Sequence, residues 1–185
     1  MNVAVYCSAR NGLDDNCVDL ARQLGQWLGR NGHTLVYGGV EAGLMHEVAV
    51  GTVKAGGRVV GVVPRLFAHR ADPLANETIT VRDLGERKQR MIELAHAFVV
   101  LPGGIGTLDE WMTTLDTLLL TDEQKPIVVA NLNHLYDDTV RQLATLQATP
   151  LARGKHLEMS ILVNDATQLI STLDQISQHH SNNEK

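Results

Sequence analysis

Short apolar runs alternate with longer segments of helical periodicity along most of the chain. The apolar runs predict strands at residues 3–7, 33–39, 58–64, 78–81, 98–104, 126–132 and 160–164. Segments with apolar residues three or four positions apart predict helices at residues 17–32, 43–57, 84–97, 107–120, 135–147 and 165–177. The order therefore repeats strand and helix without any repeat of sequence.

The predicted strands are apolar throughout instead of alternating between apolar and polar residues. Such strands are typical of a parallel sheet that is covered by helices on both faces. We therefore predict an α/β fold, a Rossmann-like doubly wound parallel sheet in a single domain over residues 1–178. The polar end, residues 179–185, is predicted to be a flexible C-terminal tail.

Composition narrows the classes of partner. The 185 residues carry a formal net charge of −5, so no broad basic face is expected to bind nucleic acid through its phosphates. The two cysteines, Cys7 and Cys17, form neither a CxxC pair nor a zinc-ligand spacing. We find no signal peptide and no apolar run long enough for a membrane span, and we expect a cytoplasmic protein.

Glycines cluster after two of the predicted strands. The second strand is followed by "YGGVEAGLM" and the fifth by "PGGIGT". Glycines at a strand-to-helix turn let backbone N–H groups approach an anion, and the helix N-terminus adds a favourable field. The two loops predict a phosphorylated ligand, with plain tight turns as the alternative. Neither loop is a Walker motif, and "CSARNG" lacks the GxGxxG of NAD-binding dehydrogenases.

Charged residues stand at the starts of two predicted helices. "DLGE" has the pattern of a capping box of Asp83 and Glu86, which places Arg87 and Lys88 where the helix dipole disfavours cations. A functional role and a solvated pair neutralised by Glu86 are both open. "TLDE" also has the pattern of a capping box, so Glu110 either caps a helix or acts in the chemistry.

Several motifs occur together in the order of one known family. The chain resembles the LOG ("lonely guy") family of nucleoside 5′-monophosphate phosphoribohydrolases, whose hallmark PGGxGTxxE is present as "PGGIGTLDE". The resemblance also covers "CSA", "YGGVEAGLM", "GVVP" and "ERKQRMIELAHAFVVLPGG", from Val3 to about Tyr136. Related sequences have often been labelled lysine decarboxylases, but the chain has no recognisable lysine-bearing pyridoxal phosphate site.

The resemblance implies cleavage of the N-glycosidic bond of AMP or a cytokinin riboside monophosphate, which gives free base and ribose 5-phosphate. It implies no cofactor and no metal, a small-molecule nucleotide as partner, and a homodimer. Arg87 and Glu110 match the catalytic residues of the family. The residues matching its substrate and phosphate contacts are Ser8, Gly38, Gly39, Met45, Glu77, Lys88, Gly103, Gly104, Ile105, Gly106 and Thr107.

The chain departs from the family pattern near the expected base. Val40 stands where relatives have a third glycine, His46 replaces the glycine of GLMG, and Gly85 replaces a histidine. His46 and Glu47 do not form an HExxH zinc motif, because Val50 stands where the second histidine belongs. Relatives tend to carry tryptophan and threonine where "TTLDTLLL" stands, which places Asp116 and Thr117 near the family's base-side contacts, so the accepted base stays open. A non-catalytic nucleotide carrier and a different enzyme, such as a decarboxylase, remain alternatives.

Overall fold

The computed structural model describes residues 1–151 and 156–183. Seven strands form one sheet in the order β4-β3-β2-β1-β5-β6-β7, and every neighbouring pair is parallel. The strands are β1 (Asn2–Tyr6), β2 (Thr34–Tyr37), β3 (Arg58–Pro64), β4 (Glu77–Val81), β5 (Ala97–Val100), β6 (Ile127–Ala130) and β7 (Ser160–Val163). This arrangement confirms the predicted parallel α/β sheet.

Helices cover both faces of the sheet. The α-helices are α1 (Asp15–Arg30), α2 (Gly43–Lys54), α3 (Leu84–Leu94), α4 (Ile105–Thr121), α5 (Asp137–Gln147) and α6 (Ala166–Asn183). Helices α1, α2 and α6 share one apolar core with the sheet, and α3, α4 and α5 share the other. Short 3₁₀ helices occupy Arg65–Arg70, Leu132–His134 and His156–Met159. The doubly wound arrangement is therefore also confirmed.

The order of the strands reverses at β1. From β1 the chain adds β2, β3 and β4 on one side, and β5 then returns to pair with β1 on the other. Beyond the carboxyl ends of β1 and β5 this reversal leaves a crevice, the place where open parallel sheets bind ligands. The loops that follow β1, β2 and β5 meet there, and two of them carry the glycines singled out by the sequence.

The C-terminal helix extends further than the sequence indicates. Helix α6 continues to Asn183, so its end does not coincide with the boundary placed at residue 178. Helix α6 carries Leu169 and Leu173, which are fully buried in the core with α1 and α2. No helix within the described residues is long and apolar enough to cross a membrane.

Helices α1 and α2 approach each other through glycine. A Cβ atom on Gly25 would overlap the carbonyl oxygen of Val48 and lie 2.7 Å from the amide nitrogen of Thr52. A Cβ atom on Gly51 would likewise overlap the backbone of Arg22. Both contacts involve backbone, which cannot move aside as a flexible side chain would. The glycines are therefore required for the close packing of these two helices.

We expect overpacking in Gly25→Ala to cost up to about 3 kcal/mol, the upper end of the usual range, because the added Cβ atom would meet backbone. After the gain in helix propensity of about 1 kcal/mol, the free energy of unfolding should fall by about 2 kcal/mol. Gly106→Ala is the matched control for stability, since a Cβ atom there meets nothing within 4 Å. Urea denaturation of both variants measures the difference. Equal or higher stability of Gly25→Ala would contradict the close-packing argument.

Candidate active site

Helix α4 begins closer to β5 than the sequence predicts. Gly104 is its N-cap residue, in an extended conformation, and the helix starts at Ile105. Thr107 is therefore the third helical residue, and its hydroxyl lies against Gly103, where a Cβ atom would collide with it. Glu110 lies in the second turn. The predicted capping box of Thr107 and Glu110 is wrong, because the helix begins before Thr107 and both residues lie inside it.

The N-terminus of α4 is open to solvent. The amide groups of Thr107 and Leu108 both donate to the carbonyl oxygen of Gly104, each at 3.0 Å. The first N–H groups of a helix have no acceptor within the helix, and no side chain caps this one among the described residues. Cβ atoms added to Gly104 or Gly106 would meet nothing within 4 Å. The turn thus presents backbone donors and free space, as an anion site requires.

Arg87 and Glu110 form an ion pair between α3 and α4. Arg87 Nη2 donates to Glu110 Oε1 at 2.5 Å, and their side chains are only 11% and 3% exposed. Arg87 Nε is also buried and has no hydrogen-bond partner among the described residues. The pair joins the first turn of α3 to the second turn of α4. The Nε–H group of Arg87 is thus a donor without an acceptor in the described part of the chain.

The alternative for Arg87 and Lys88, a solvated pair neutralised by Glu86, is wrong. Glu86 instead accepts from Arg82, at 2.7 Å from the backbone N and 2.9 Å from Nε. Asp83 does cap α3, since its carboxylate accepts from the amide of Glu86 at 2.9 Å. The return contact of the predicted box goes to Arg82 instead of Asp83. Glu86 is therefore not available to the two cations that follow it.

The environment of Glu110 changes its acidity. Burial raises the pKa of the Glu110 carboxyl to about 7, although the positive charge of Arg87 lowers it in part. The neighbouring Asp109 carboxylate raises the pKa further, and the ammonium of Lys88 lowers it. A carboxyl that titrates near neutral pH is suited to exchange a proton with water or substrate.

Ser8 and the first glycine loop complete the wall beside the ion pair. Ser8 donates its amide to the carbonyl of Pro102 at 3.1 Å, and its own carbonyl accepts from Leu44 at 2.9 Å. A Cβ atom on Gly38 would lie 2.9 Å from Met45 Cε and 3.3 Å from Arg87 Nη1. The structure therefore brings Gly38 and Met45 together with Arg87, and Ser8 joins the loop after β5 to the start of α2. Gly39, next in the chain, has a φ of +68° that favours glycine.

The N-terminus of α2 differs from that of α4. The amide of Gly43 donates to Asn11 Oδ1 at 2.9 Å, and the amide of Leu44 donates to Ser8. Protein acceptors therefore occupy the donors at the start of α2. The two glycine loops looked equivalent in the sequence, but the loop after β5 is the one with an open helix start. Asn11 carried no sequence signal that would have identified this role.

Two predicted contact residues have other surroundings. Glu77 lies at the amino end of β4, where it pairs with Arg58 at 2.7 Å, so the structure places it at the opposite edge of the sheet. Lys88 lies beside the site, but its ammonium contacts both carboxylate oxygens of Asp109, at 2.7 and 2.8 Å, and Thr113 Oγ1 at 3.0 Å. Asp109 was missed because its partner is on another helix.

The departures from the family pattern fall on both sides of the ion pair. His46 Nδ1 lies 3.0 Å from Oδ2 of the buried Asp72, and Val40 is itself buried. Gly85 and Thr117 line a groove of about 440 Å³ between α3 and α4. In the part of the chain that the structure describes, no three His, Cys, Asp or Glu side chains are placed to hold a metal ion.

Comparison with known proteins assigns the family. A family model described as "Possible lysine decarboxylase" matches residues 45–173. A cytokinin riboside 5′-monophosphate phosphoribohydrolase of Mycobacterium tuberculosis is 40% identical over 131 residues, which is 70% of this chain and 70% of that protein. The enzyme of the same name from Mycobacterium marinum is 35% identical over 165 residues, 88% of each chain.

Solved structures share the architecture at low sequence identity. The molybdenum cofactor carrier protein of Chlamydomonas reinhardtii superimposes with a TM-score of 0.75 at 21% identity, over 96% of this chain and 98% of that one. At this identity the likeness supports the fold alone. The family, by contrast, is established by the sequence matches, which agree with the motifs at the crevice. The chain therefore belongs to the LOG family.

Proposed function

We propose that this protein hydrolyses the N-glycosidic bond of a purine-type nucleoside 5′-monophosphate, AMP or a cytokinin riboside monophosphate. One observation carries the proposal: Glu110, in the second turn of the helix whose N-terminus is open, forms a buried ion pair with Arg87. An anion site and a carboxylate of raised pKa are the two groups that this reaction needs. The relatives' names as phosphoribohydrolases support the same reaction.

The phosphate binds at the start of α4 in this proposal. The amides of Gly104, Ile105 and Gly106 at the open start of the helix serve as its donors, and the helix dipole favours a negative charge there. Gly103 and the side chain of Thr107 fix the shape of the turn. Ser8, Gly38 and Met45 form the adjoining wall. Of the expected contact residues, Glu77 has no part in this proposal because it lies at the other edge of the sheet.

The reaction breaks the bond between C1′ of the ribose and the base nitrogen. The bonding electron pair leaves with the base, which takes up a proton from solvent water, and the oxygen of a second water forms the new bond to C1′. Positive charge develops on the ribose in the transition state, as in other glycoside hydrolyses. The Glu110 carboxylate stabilises that charge and accepts the proton that the water loses. The products are free base and ribose 5-phosphate.

Arg87 acts on the same transition state through the guanidinium that contacts Glu110. It holds the carboxylate in place through Nη2, and Nη1, which lies beside Gly38, is the donor for a substrate oxygen or the departing base. A guanidinium can make both contacts at once, since its donors form a rigid fork. The reaction requires no metal and no cofactor in this scheme.

The proposal extends to the setting in which the enzyme acts. We infer a cytoplasmic homodimer that binds a small nucleotide and no nucleic acid, with cytokinin activation as one use of the reaction. The resemblance to the LOG family supports the dimer, and the net charge of −5 supports the absence of nucleic acid. The base that is accepted depends on the departures at Val40, His46, Gly85 and Asp116.

Two other functions have support from a name or a fold. A carrier would share the fold of the molybdenum cofactor carrier, but a carrier has no need for a buried carboxylate beside an arginine. The family description suggests decarboxylation of lysine. A Schiff-base lysine needs an available amine, and the ammonium of Lys88 is held by Asp109 and Thr113. The glycosidase is the function that uses the observed geometry.

Incubation of the purified protein with a panel of nucleoside 5′-monophosphates tests the proposal. Free base and ribose 5-phosphate, measured in equal amounts by chromatography, are the expected products. Tight binding without release of base would favour the carrier. Release of carbon dioxide from lysine in the presence of pyridoxal phosphate would favour the decarboxylase.

The first prediction from this proposed function concerns the phosphate. We expect kcat/KM for AMP to exceed that for adenosine by at least about tenfold, a ratio equivalent to about 1.4 kcal/mol. The reason is that the amides at the open start of α4 gain an anionic acceptor only when a phosphate is bound. Adenine release is measured for both substrates under the same conditions. Equal rates, or a preference for adenosine, would contradict the assignment of the α4 turn.

The second prediction concerns the charge of Glu110. Glu110→Gln preserves the shape of the side chain and an oxygen for Arg87, but it removes the negative charge and the basicity. We expect turnover to fall by roughly 10²–10⁴-fold, the range for loss of a positioned acid–base group, with nucleotide binding retained by calorimetry. Glu93→Gln, on the exposed side of α3, is the charge-matched control. More than about a tenth of normal turnover in Glu110→Gln would refute the role.

The third prediction follows from the raised pKa of Glu110, about 7. The reaction needs the carboxylate, so protonation below this pH removes the active form. We expect kcat/KM to rise about tenfold per pH unit below 7 and to level off above it. The substrate phosphate titrates near 6, and the residual activity of Glu110→Gln serves as the control for that. A wild-type profile that matches this control would contradict the assignment.

A further inference from the structure

Two consecutive cations on α3 face two consecutive acids on α4. Arg87 pairs with Glu110, and the next residue, Lys88, pairs with the preceding acid, Asp109. We propose that Lys88 and Asp109 are positioning residues that hold Arg87 and Glu110 in their catalytic contact. This inference rests on the proposed function for its effect on turnover.

The contacts of Lys88 leave little capacity for a ligand. An ammonium has three N–H donors, and Lys88 Nζ has three oxygen neighbours: Asp109 Oδ1 at 2.7 Å, Asp109 Oδ2 at 2.8 Å and Thr113 Oγ1 at 3.0 Å. The Lys88 side chain is only 17% exposed. Asp109 and Thr113 are one turn apart on α4, so Lys88 is seated between two consecutive turns. It acts on the site through α4 instead of contacting the substrate.

The first half of α3 has no buried apolar side chain to attach it to the body of the protein. Its buried residues, Met91 and Ile92, lie in the second half of the helix. Residues 84–90 are exposed or half-buried, and Leu84 at the helix start is 46% exposed. Apolar packing therefore does not fix the turn that carries Arg87. Ion pairs to α4 do so, and the pair of Lys88 with Asp109 adds a second contact one residue from the first.

The pair also sets the electrostatic surroundings of Glu110. The charged and titratable groups that face Glu110 are Arg87 and Lys88 from α3, Asp109 from α4, Tyr6 at the end of β1 and Cys7 directly after it. Asp109 raises the pKa of Glu110 and Lys88 lowers it. Loss of one partner should therefore move the pKa of Glu110 in the opposite direction from loss of the other. A purely mechanical link between helices would not produce opposite shifts.

The test compares Lys88→Gln, Asp109→Asn and the double variant with the wild-type protein. Arg90→Gln is the matched control, because Arg90 pairs with Glu93 within α3 at 3.2 Å and is 43% exposed. Turnover of a nucleoside monophosphate is measured against pH, and the pKa of Glu110 is followed by ¹³C NMR of its carboxyl carbon. The NMR titration reports on the pair whether or not base is released.

We expect kcat to fall about tenfold or more in each single variant, as for a small misplacement of catalytic groups, with KM changed less than about threefold. The pKa of Glu110 should fall in Asp109→Asn and rise in Lys88→Gln, and the double variant should lose no more than the worse single variant. Arg90→Gln should match the wild type.

Other results would overturn the inference in distinct ways. A large rise in KM with normal kcat in Lys88→Gln alone would make Lys88 a substrate contact. Unchanged turnover and unchanged pKa of Glu110 in both single variants would leave the pair without a positioning role. Shifts of the pKa in the same direction would also contradict it. Failure of the wild-type protein to release base from any nucleotide would overturn the proposed function, while the NMR result still decides the effect of the pair on Glu110.

Discussion

The contact between Arg87 and Glu110 is the interaction on which the site depends. It joins two helices that the chain separates by β5, and it does so at the carboxyl edge of the sheet beside β1. A buried carboxylate without a partner costs several kcal/mol in solvation, so Glu110 requires a cation from α3. Arg87 in turn has few apolar neighbours on its own helical turn. Each residue therefore holds the other where the strand order reverses, which is where this fold binds ligands.

The glycines on either side of this pair have different physical tasks. After β2, Gly38 gives Arg87 and Met45 room that a side chain would fill, and Gly39 adopts a φ of +68°. After β5, Gly103 lets Thr107 pack against the turn, while Gly104 and Gly106 keep the helix start open. Protein oxygens accept from the first two amides of α2, whereas no bond within the described residues is made by the first two amides of α4. One helix start is thus part of the scaffold and the other is free for an anion.

The sequence alone predicted the parallel sheet and the approximate positions of Arg87 and Glu110. It did not predict contacts between residues that lie far apart along the chain. Apolar strands without alternation predicted the parallel sheet because both faces of such strands are buried. The predicted start of α4 at Thr107 was wrong. "TLDE" has the pattern of a capping box, but the helix begins at Ile105, with Gly104 as its N-cap residue. The resemblance to the family predicted Glu77 as a substrate contact. Its position at the amino end of β4 instead puts it at the opposite edge of the sheet from the crevice.

The contacts that the sequence could not indicate all join different elements. Lys88 with Asp109 is one example, and His46 with Asp72 is another. Asp72 is fully buried at its side chain and accepts from Leu74 at 3.0 Å, while its amide donates to the carbonyl of Gly39 at 2.8 Å. Spacing along the chain carries no sign of such pairs, because each partner looks like an ordinary polar residue.

The pair of His46 and Asp72 gives a physical reason for one departure from the family pattern. A buried carboxylate needs donors, and a glycine at position 46 would supply no side chain for that purpose. His46 provides an N–H for Asp72 from the first turn of α2, so the carboxylate links α2 to the segment that holds Gly39. The loop after β2 is therefore supported by Asp72, whose amide bonds Gly39, and by Met45, which lies beside Gly38. Substitution at position 46 consequently changes the support of the wall beside Arg87 without altering Arg87, Glu110 or the α4 turn.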